Sequence, residues 1–500
     1  MSSTTRLLAG TAAAALATTG AARADVTAME VWENWKSSLQ LTESESVTIG
    51  SETMEGSVLT VTDISVSADD GMSSFSTDMG TLMFEEVGDG TVRVILPDSY
   101  TMSFADSGTE VDLSVTQDEV DMLVSGTPEE MNYAFTADSM VLSIDEVREG
   151  GEIVTEGEMM FTLNDLSGDY TSMTDDLRNV TSALSVASID ALVDVVNPAN
   201  PEDIIVLSGQ LSNLAFDGAM TLPLNPEEVS GEELFQSGFG VNGTYGVESA
   251  NYIIDINADG TTVAGTVSTG GVGFELNLNE ESFLYDVATQ DLAISMVTSD
   301  LPFPIEVSVE EYGIGVGLPL AATEEPQDFA FLINLLNLSI NDEILGLLDP
   351  GGALERGPIT MILDITGSGR LDYSLTDPEG TAAIDAGAVP GELYALNLDD
   401  LTLEAAGASV NGAGGFTFDN SDMETFDGLP RPEGSVTIDI VGLNQLMGAL
   451  VQLGVLPQDQ MMMAQMMIGM FAEQTGEDSL TTTIEVNDQG HLIANGQRLQ

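Results

Sequence analysis

The side chains that carry most enzyme chemistry are nearly missing from this chain. In 500 residues there is no cysteine, one histidine (His491), one lysine (Lys36) and nine arginines, against 83 aspartates and glutamates. A Ser-His-Asp triad would have to use His491, which directly follows the turn signal Asp488-Gln489-Gly490, and a lone histidine without positioned partners does not make a triad. Ser-Lys chemistry would rest on Lys36, which sits between solvated helix positions. Zinc and haem sites built from histidine and cysteine cannot be assembled. Hydrolysis by carboxylates alone stays open, because a glycosidase needs only two acids flanking a bond. With so many acids, however, no pair along the chain is informative.

Two local patterns come closer to a site. Asp255-Ile256-Asn257-Ala258-Asp259-Gly260 begins like a calcium-binding EF-hand loop, but its twelfth position is Thr266 rather than the required glutamate, and a Thr/Val strand follows instead of a helix. The pattern reads as a hairpin turn, and a calcium-stabilised structural protein remains an alternative. Met463, Met466, Met467 and Met470 fall on one helical face beside Ile468 and Phe471. Exported methionine clusters can hold Cu(I) through soft thioethers, but the spacing predicts core packing or a pliable apolar surface. A pliable surface would suit a groove for an acyl chain or a partner.

These residues must be placed by a mostly β chain. Asp25 to Gln40 reads as a helix with Val31, Trp32, Trp35 and Leu39 on one face, docked on a sheet by its two large rings. From Val47 to Ile440 strand and turn patterns dominate, with turns expected at Asp69-Asp70-Gly71, Gly88-Asp89-Gly90 and Asp259-Gly260. One phrase recurs: apolar, any residue, Asp or Asn, apolar. It occurs at Val61–Ile64, Leu163–Leu166, Leu177–Val180, Leu211–Leu214, Leu335–Leu338 and Leu398–Leu401. Apolar residues three apart in a strand share a face only if the alternation is interrupted, so the phrase predicts bulges that shift register and bend a long sheet. Its irregular intervals exclude a fixed-period repeat. Leu443, Leu446, Met447, Leu450 and Val451 then form an amphipathic stripe closed by Gly454. Pro457 opens a second helix, Gln458 to about Glu473, so an αα-hairpin is expected. A strand pair, Ser479 to Val486 and His491 to Asn495, follows.

Residues 1–24 read as a secretory signal peptide. Arg6 precedes an apolar stretch, and Ala22-Arg23-Ala24 forms the cleavage motif ahead of Asp25. The stretch is too short to cross a bilayer, and no other apolar run matches it, so no transmembrane anchor is expected after cleavage. An exported chain without cysteine has no disulfide framework and depends on burial for stability. Hydrophobic residues make up 43 % and mean hydropathy is +0.13, enough for a core rather than disorder. The formal charge of −73 repels nucleic-acid phosphates and anionic headgroups, which excludes nucleic acid as a partner. Such acidity also suits a salty medium, where screening shortens self-repulsion.

Several motifs resemble the alphaproteobacterial domain-of-unknown-function 2125 family. They are Glu325-Pro326-Gln327-Asp328-Phe329, Leu348-Asp349-Pro350-Gly351-Gly352 with Arg356 and Pro358, Phe416-Thr417-Phe418-Asp419-Asn420, and Gly428-Leu429-Pro430-Arg431-Pro432-Glu433-Gly434. The ending is similar as well: Met466-Met467, Phe471, Gly476-Glu477-Asp478-Ser479-Leu480-Thr481, Gly490 and Asn495-Gly496. Near the start, Val31-Trp32-Glu33-Asn34-Trp35-Lys36 is similar to the family's mature beginning. The resemblance implies an exported, envelope-facing protein of a marine-type bacterium and brings no activity, catalytic residues or cofactor. The closing motif also resembles large β-rich envelope proteins linked to lipid homeostasis, a likeness of fold rather than function.

The sequence therefore predicts a mainly β (α+β) fold: long, bent antiparallel sheets with an N-terminal helix and a C-terminal helical hairpin. Residues 25–500 should form a single extended domain. The expected role is periplasmic and non-enzymatic, a binding or scaffold protein for envelope proteins, lipid or another apolar ligand. No cofactor or metal is expected. A carboxylate-only hydrolase is the competing class.

Overall fold

The computed structural model describes residues 25–38, 45–69, 71–224, 229 and 233–499. The predicted signal segment with Ala22 and Ala24 lies outside these residues, as do Leu39, Gln40 and Asp70. Asp25 is the first described residue and is exposed. Two thirds of the chain is strand, and every strand belongs to one antiparallel sheet that meanders from the first strand, Glu45–Thr48, to the last, Gln497–Arg498. Neighbours in sequence are mostly neighbours in space, as short reversals dictate. Asp259 and Gly260 both adopt positive φ between the paired residues Ala258 and Thr261, so the expected turn is a tight two-residue hairpin.

The strands in the middle are long: Glu130–Glu149, Glu156–Thr174, Leu177–Asn197, Asn200–Pro223 and Gly240–Ala258. Typical strands run to about ten residues, because a longer flat ribbon rarely finds a partner surface. Here each strand is broken near its middle. Asp165, Asn213, Asp291 and Asn337 sit at φ 48–51° inside strands, in the left-handed region that Asp and Asn tolerate better than most side chains. Register places these breaks in one line. Asp138, Asp165, Ala187, Asn213 and Glu248 lie opposite one another across five strands. The line continues through Gly270, where one partner is split into Thr261–Thr269 and Gly271–Leu278, and on to Asp291, Glu310, Asn337 and Thr360. At about 4.8 Å per strand this crease runs roughly 40 Å.

The recurring sequence phrase thus marks the crease at three places, Asp165, Asn213 and Asn337, and its other instances lie off that line. Register shifts occur at Val61/Ile64, Leu335/Leu338 and Leu398/Leu401, as a bulge requires. At Asp165 and Asn213 there is none, because both partner strands break alternation in the same row. Leu163 pairs with Ile189 and Leu166 with Val186, so each side spans the same number of residues. At Leu177–Val180 the strand is regular, and Asn179 pairs with Met173 and Thr221 without positive φ.

Helices occupy the margins. The first, α1 (Ala28–Ser38), docks on the N-terminal strands. Two short helices were not expected: α2 (Asp342–Leu348) and α3 (Pro378–Asp385). In α3, Asp377 accepts from the Glu379 N–H at 2.9 Å and Pro378 opens the first turn, a capping signal that eight residues of weak periodicity concealed. The C-terminal hairpin is α4 (Leu443–Gln452) and α5 (Gln458–Phe471), near the expected boundaries.

Candidate functional site

Cross-strand partners in an antiparallel sheet project to the same side, so register identifies each face. One row runs Leu184, Phe216, Tyr245, Phe274, Val287 and Ile314, then Ile333, Leu363 and Leu401. On the other side of the crease a second row runs Val193, Leu207, Ile254, Gly265, Met296 and Ile305. Neither row contains a charge. The opposite face of the same strands carries Asp190, Asp217, Asp255, Asp286 and Asp364. The sheet is therefore apolar on one side and acidic on the other.

The crease folds the sheet toward its apolar side. Leu163 and Leu166, on either side of the Asp165 break, pack into one cluster with Ala137, Leu184, Val186 and Ile189. Val186 at the bottom is 1 % exposed, whereas Phe216 on the wall is 38 % and Ile205 43 %. Burial at the crease with Phe216 exposed on one limb and Ile205 on the other outlines a trough, in which Ala191 and Val195 of the second limb are also buried. Tyr245 and Tyr252 lie on opposite limbs of one strand, yet they are close enough that burial, and then Tyr252, push the Tyr245 hydroxyl above its ordinary range. The floor is kept low: a Cβ on Gly168, Gly209 or Gly367 would collide with the rings of Phe135, Tyr252 and Phe329, which lie flat over those positions. Phe274 and Tyr285 pack edge-on, with centroids 5.6 Å apart.

At the N-terminal end the trough is stoppered. Val31 and Trp32 of α1 are fully buried against Leu59, Val61, Ile64, Leu82 and Phe84. The Trp32 and Trp35 rings each lie 5.7 Å from Phe84. The Trp32 indole N–H donates to Glu52 Oε1 at 2.8 Å, and Tyr133 donates its hydroxyl to Asn34 at 2.8 Å. Glu52 is held below the usual carboxylate range by that indole bond, and then by Lys36, against the opposing effect of burial. Lys36 is thus an ion-pair partner of Glu33 and Glu52.

At the other end lies α5. Met463, Met466, Met467 and Met470 share a face with Met462 and Phe471, and all six are exposed, Met466 by 71 %. Core packing is not what this face does. The helix rests on α4 through its other side, where Gln465 donates to Asn444 at 2.9 Å. Its C-terminal carbonyl, on Phe471, accepts from Thr482 Oγ1 at 2.6 Å and Asn495 Nδ2 at 2.8 Å. Thr482 pairs with Ile438 and so belongs to the apolar side, which places the end of α5 against the trough's last strands.

The remaining candidates do not converge. His491 directly follows the predicted turn, its backbone N–H donating to Asn487 at 3.0 Å. In the acidic turn, the Asp259 N–H donates to Asp203 at 3.1 Å, and among the described residues no group of three or more His, Cys, Asp or Glu could hold a metal ion. Asp286 and Asp364 have raised pKa values, through burial first and then through Glu275 for one and Asp399 and Asp400 for the other. Both stand on the acidic outer face, not in a cleft. A surface cavity of about 580 Å³ near the N-terminal strands is lined by Ala68, Phe75, Phe104 and Val111, with Asp69 and Asp106 at its rim.

The methionine face and a groove for an acyl chain are legible in the sequence, but the line along which the trough runs is not. The breaks themselves leave a signal: apolar residues three apart at each Asp or Asn keep one face apolar through a break. Which breaks fall in one line depends on register, and register is not visible along a single strand.

Residues 259–494 match the model of a family described as uncharacterized protein conserved in bacteria (DUF2125). No curated protein and no solved structure matches the chain.

Proposed function

We propose that the protein, whose residues 259–494 match the DUF2125 family model and continue the creased sheet, is an exported, periplasmic binding protein that holds lipid acyl chains along its trough. The segment 25–500 acts as one unit in this reading, since no strand can leave the sheet without cutting the trough. The observation that carries it is the uncharged row from Leu184 to Leu401, nine strands long and none of it fully buried. Soluble proteins rarely leave so large an apolar surface open unless something covers it. An extended, flexible hydrocarbon fits an extended track, whereas a compact ligand would touch only a fraction of it. The outer acidic face keeps such a molecule soluble and repels polyanions.

The test is titration of the delipidated protein with a fluorescent fatty acid. Wild type should bind. Phe216→Glu places a charge against the hydrocarbon on a half-exposed wall and should weaken binding by on the order of 10²-fold. Ile253→Glu, on the outer face, should leave binding unchanged. Equal affinity in all three proteins, or no binding by wild type, sinks the proposal.

A further inference from the structure

Between Ile440 and Ala472 the chain carries a single charged residue, Asp459, although 19 % of the whole sequence is charged. This stretch is the α4–α5 hairpin. Its outward face is a stripe of methionines with Phe471, and Val455 in the connecting turn is 70 % exposed. Leu347 and Leu348 of α2, exposed as well, emerge on the same margin, since α2 joins the strands ending at Ile340 and starting at Ile359 while the hairpin follows Val441. The hairpin is anchored by hydrogen bonds: Asp478 accepts from the Asn444 and Gln445 N–H groups at 3.2 and 3.1 Å, and Phe471 is tied to Thr482 and Asn495.

We propose that this hairpin docks on the surface of a bilayer of zwitterionic lipid and forms the mouth through which acyl chains reach the trough. The inference rests on the acyl-chain reading above. Three features select a lipid surface. An exposed apolar stripe with almost no charge loses little on entering the headgroup region, where unscreened carboxylates would be expelled. Methionine is unbranched and conforms to irregular hydrocarbon. The C-terminal end of α5 adjoins the apolar side of the sheet, so the docked face is continuous with the track. The chain's net charge of −73 selects zwitterionic over anionic headgroups, because anionic ones would repel it.

Flotation of the full chain with phosphatidylcholine vesicles tests the proposal. Wild type should float. The variant Met463→Gln/Met466→Gln/Met467→Gln/Met470→Gln should partition at least about tenfold less, while keeping its circular dichroism and its affinity for soluble fatty acid. Adding anionic lipid should weaken flotation of wild type, and salt should restore it. If wild type does not float, or the variant floats equally well, the docking proposal is overturned. Loss of a wild-type dimer in the variant with flotation unchanged would overturn it too, and would assign the stripe to a second copy. Flotation that depends on the methionines in a protein that binds no fatty acid would keep the docking surface and sink the trough reading alone.

Discussion

The two ends of this sheet use the same strand pattern and treat their apolar face in opposite ways. At the N-terminal end, the face formed by Leu59, Val61, Ile64, Leu82 and Phe84 is covered by α1 and is fully buried. From about residue 200 onward the equivalent face carries Phe216, Tyr312, Leu318 and Leu403, each more than a third exposed. At the far margin α5 turns its methionines outward. The difference lies in the covering element rather than in the strands. Two indoles on one short helix fill a closed core with defined ring contacts, whereas flexible thioethers present a face with no fixed counterpart. The first arrangement stabilises the fold, and the second leaves surface available.

If that comparison is right, the largest effect should come from the stopper. Trp32→Ala removes a fully buried indole and its bond to Glu52, and should cost about 3–5 kcal/mol in urea or thermal unfolding. A cost below about 1 kcal/mol would mean that α1 does not seal the end. Next is the crease. Asp165→Val forces a β-branched side chain into φ 48° and should cost about 1–3 kcal/mol, while Asp165→Gly should retain most of the stability. Equal behaviour of the two would remove left-handed geometry as the cause of the bend.

Asp286 and Asp364 on the open strands and Glu52 at the stopper shift in opposite directions. Asp286 and Asp364 in the open region are shifted up, so the folded state binds more protons than the unfolded chain. Their contribution to stability therefore grows as pH falls through their folded values and is lost as pH rises. Glu52 at the stopper is shifted down, so its contribution is present above the unfolded value and is lost as pH falls below about 4. The melting temperature should rise as pH falls toward the ordinary carboxylate range and then fall below it. Asp364→Asn should shrink the rise, and Trp32→Phe should shrink the fall; a profile unchanged in both variants would break the assignment. The smallest effect belongs to the exposed helix: Met466→Gln should change unfolding free energy by less than about 0.5 kcal/mol, against the large cost at Trp32.

Much of this was legible in the residues. The strand-rich class, the docked tryptophan helix, the boundaries of α4 and α5 and the Asp259-Gly260 hairpin follow from periodicity and turn chemistry, which are local. The bends at Asp63, Asp165, Asn213 and Asn337 were visible as interruptions of alternation. The bend at Asp291 was hidden because Thr289 stands where the phrase has an apolar residue. The brief helices α2 and α3 were hidden because one or two turns give too little periodicity.

What the sequence alone determined is which side of each strand is apolar and where each alternation fails, because both are properties of neighbours along the chain. It also excluded thiol chemistry, because the chain has no cysteine. Only the tertiary structure decided that the failures align into one crease, that the apolar face closes on itself as a trough, and that the methionines of α5 point away from the core. Those outcomes depend on register and on which element covers which surface. Both are settled by long-range pairing, where a shift of one residue would turn every side chain to the other face.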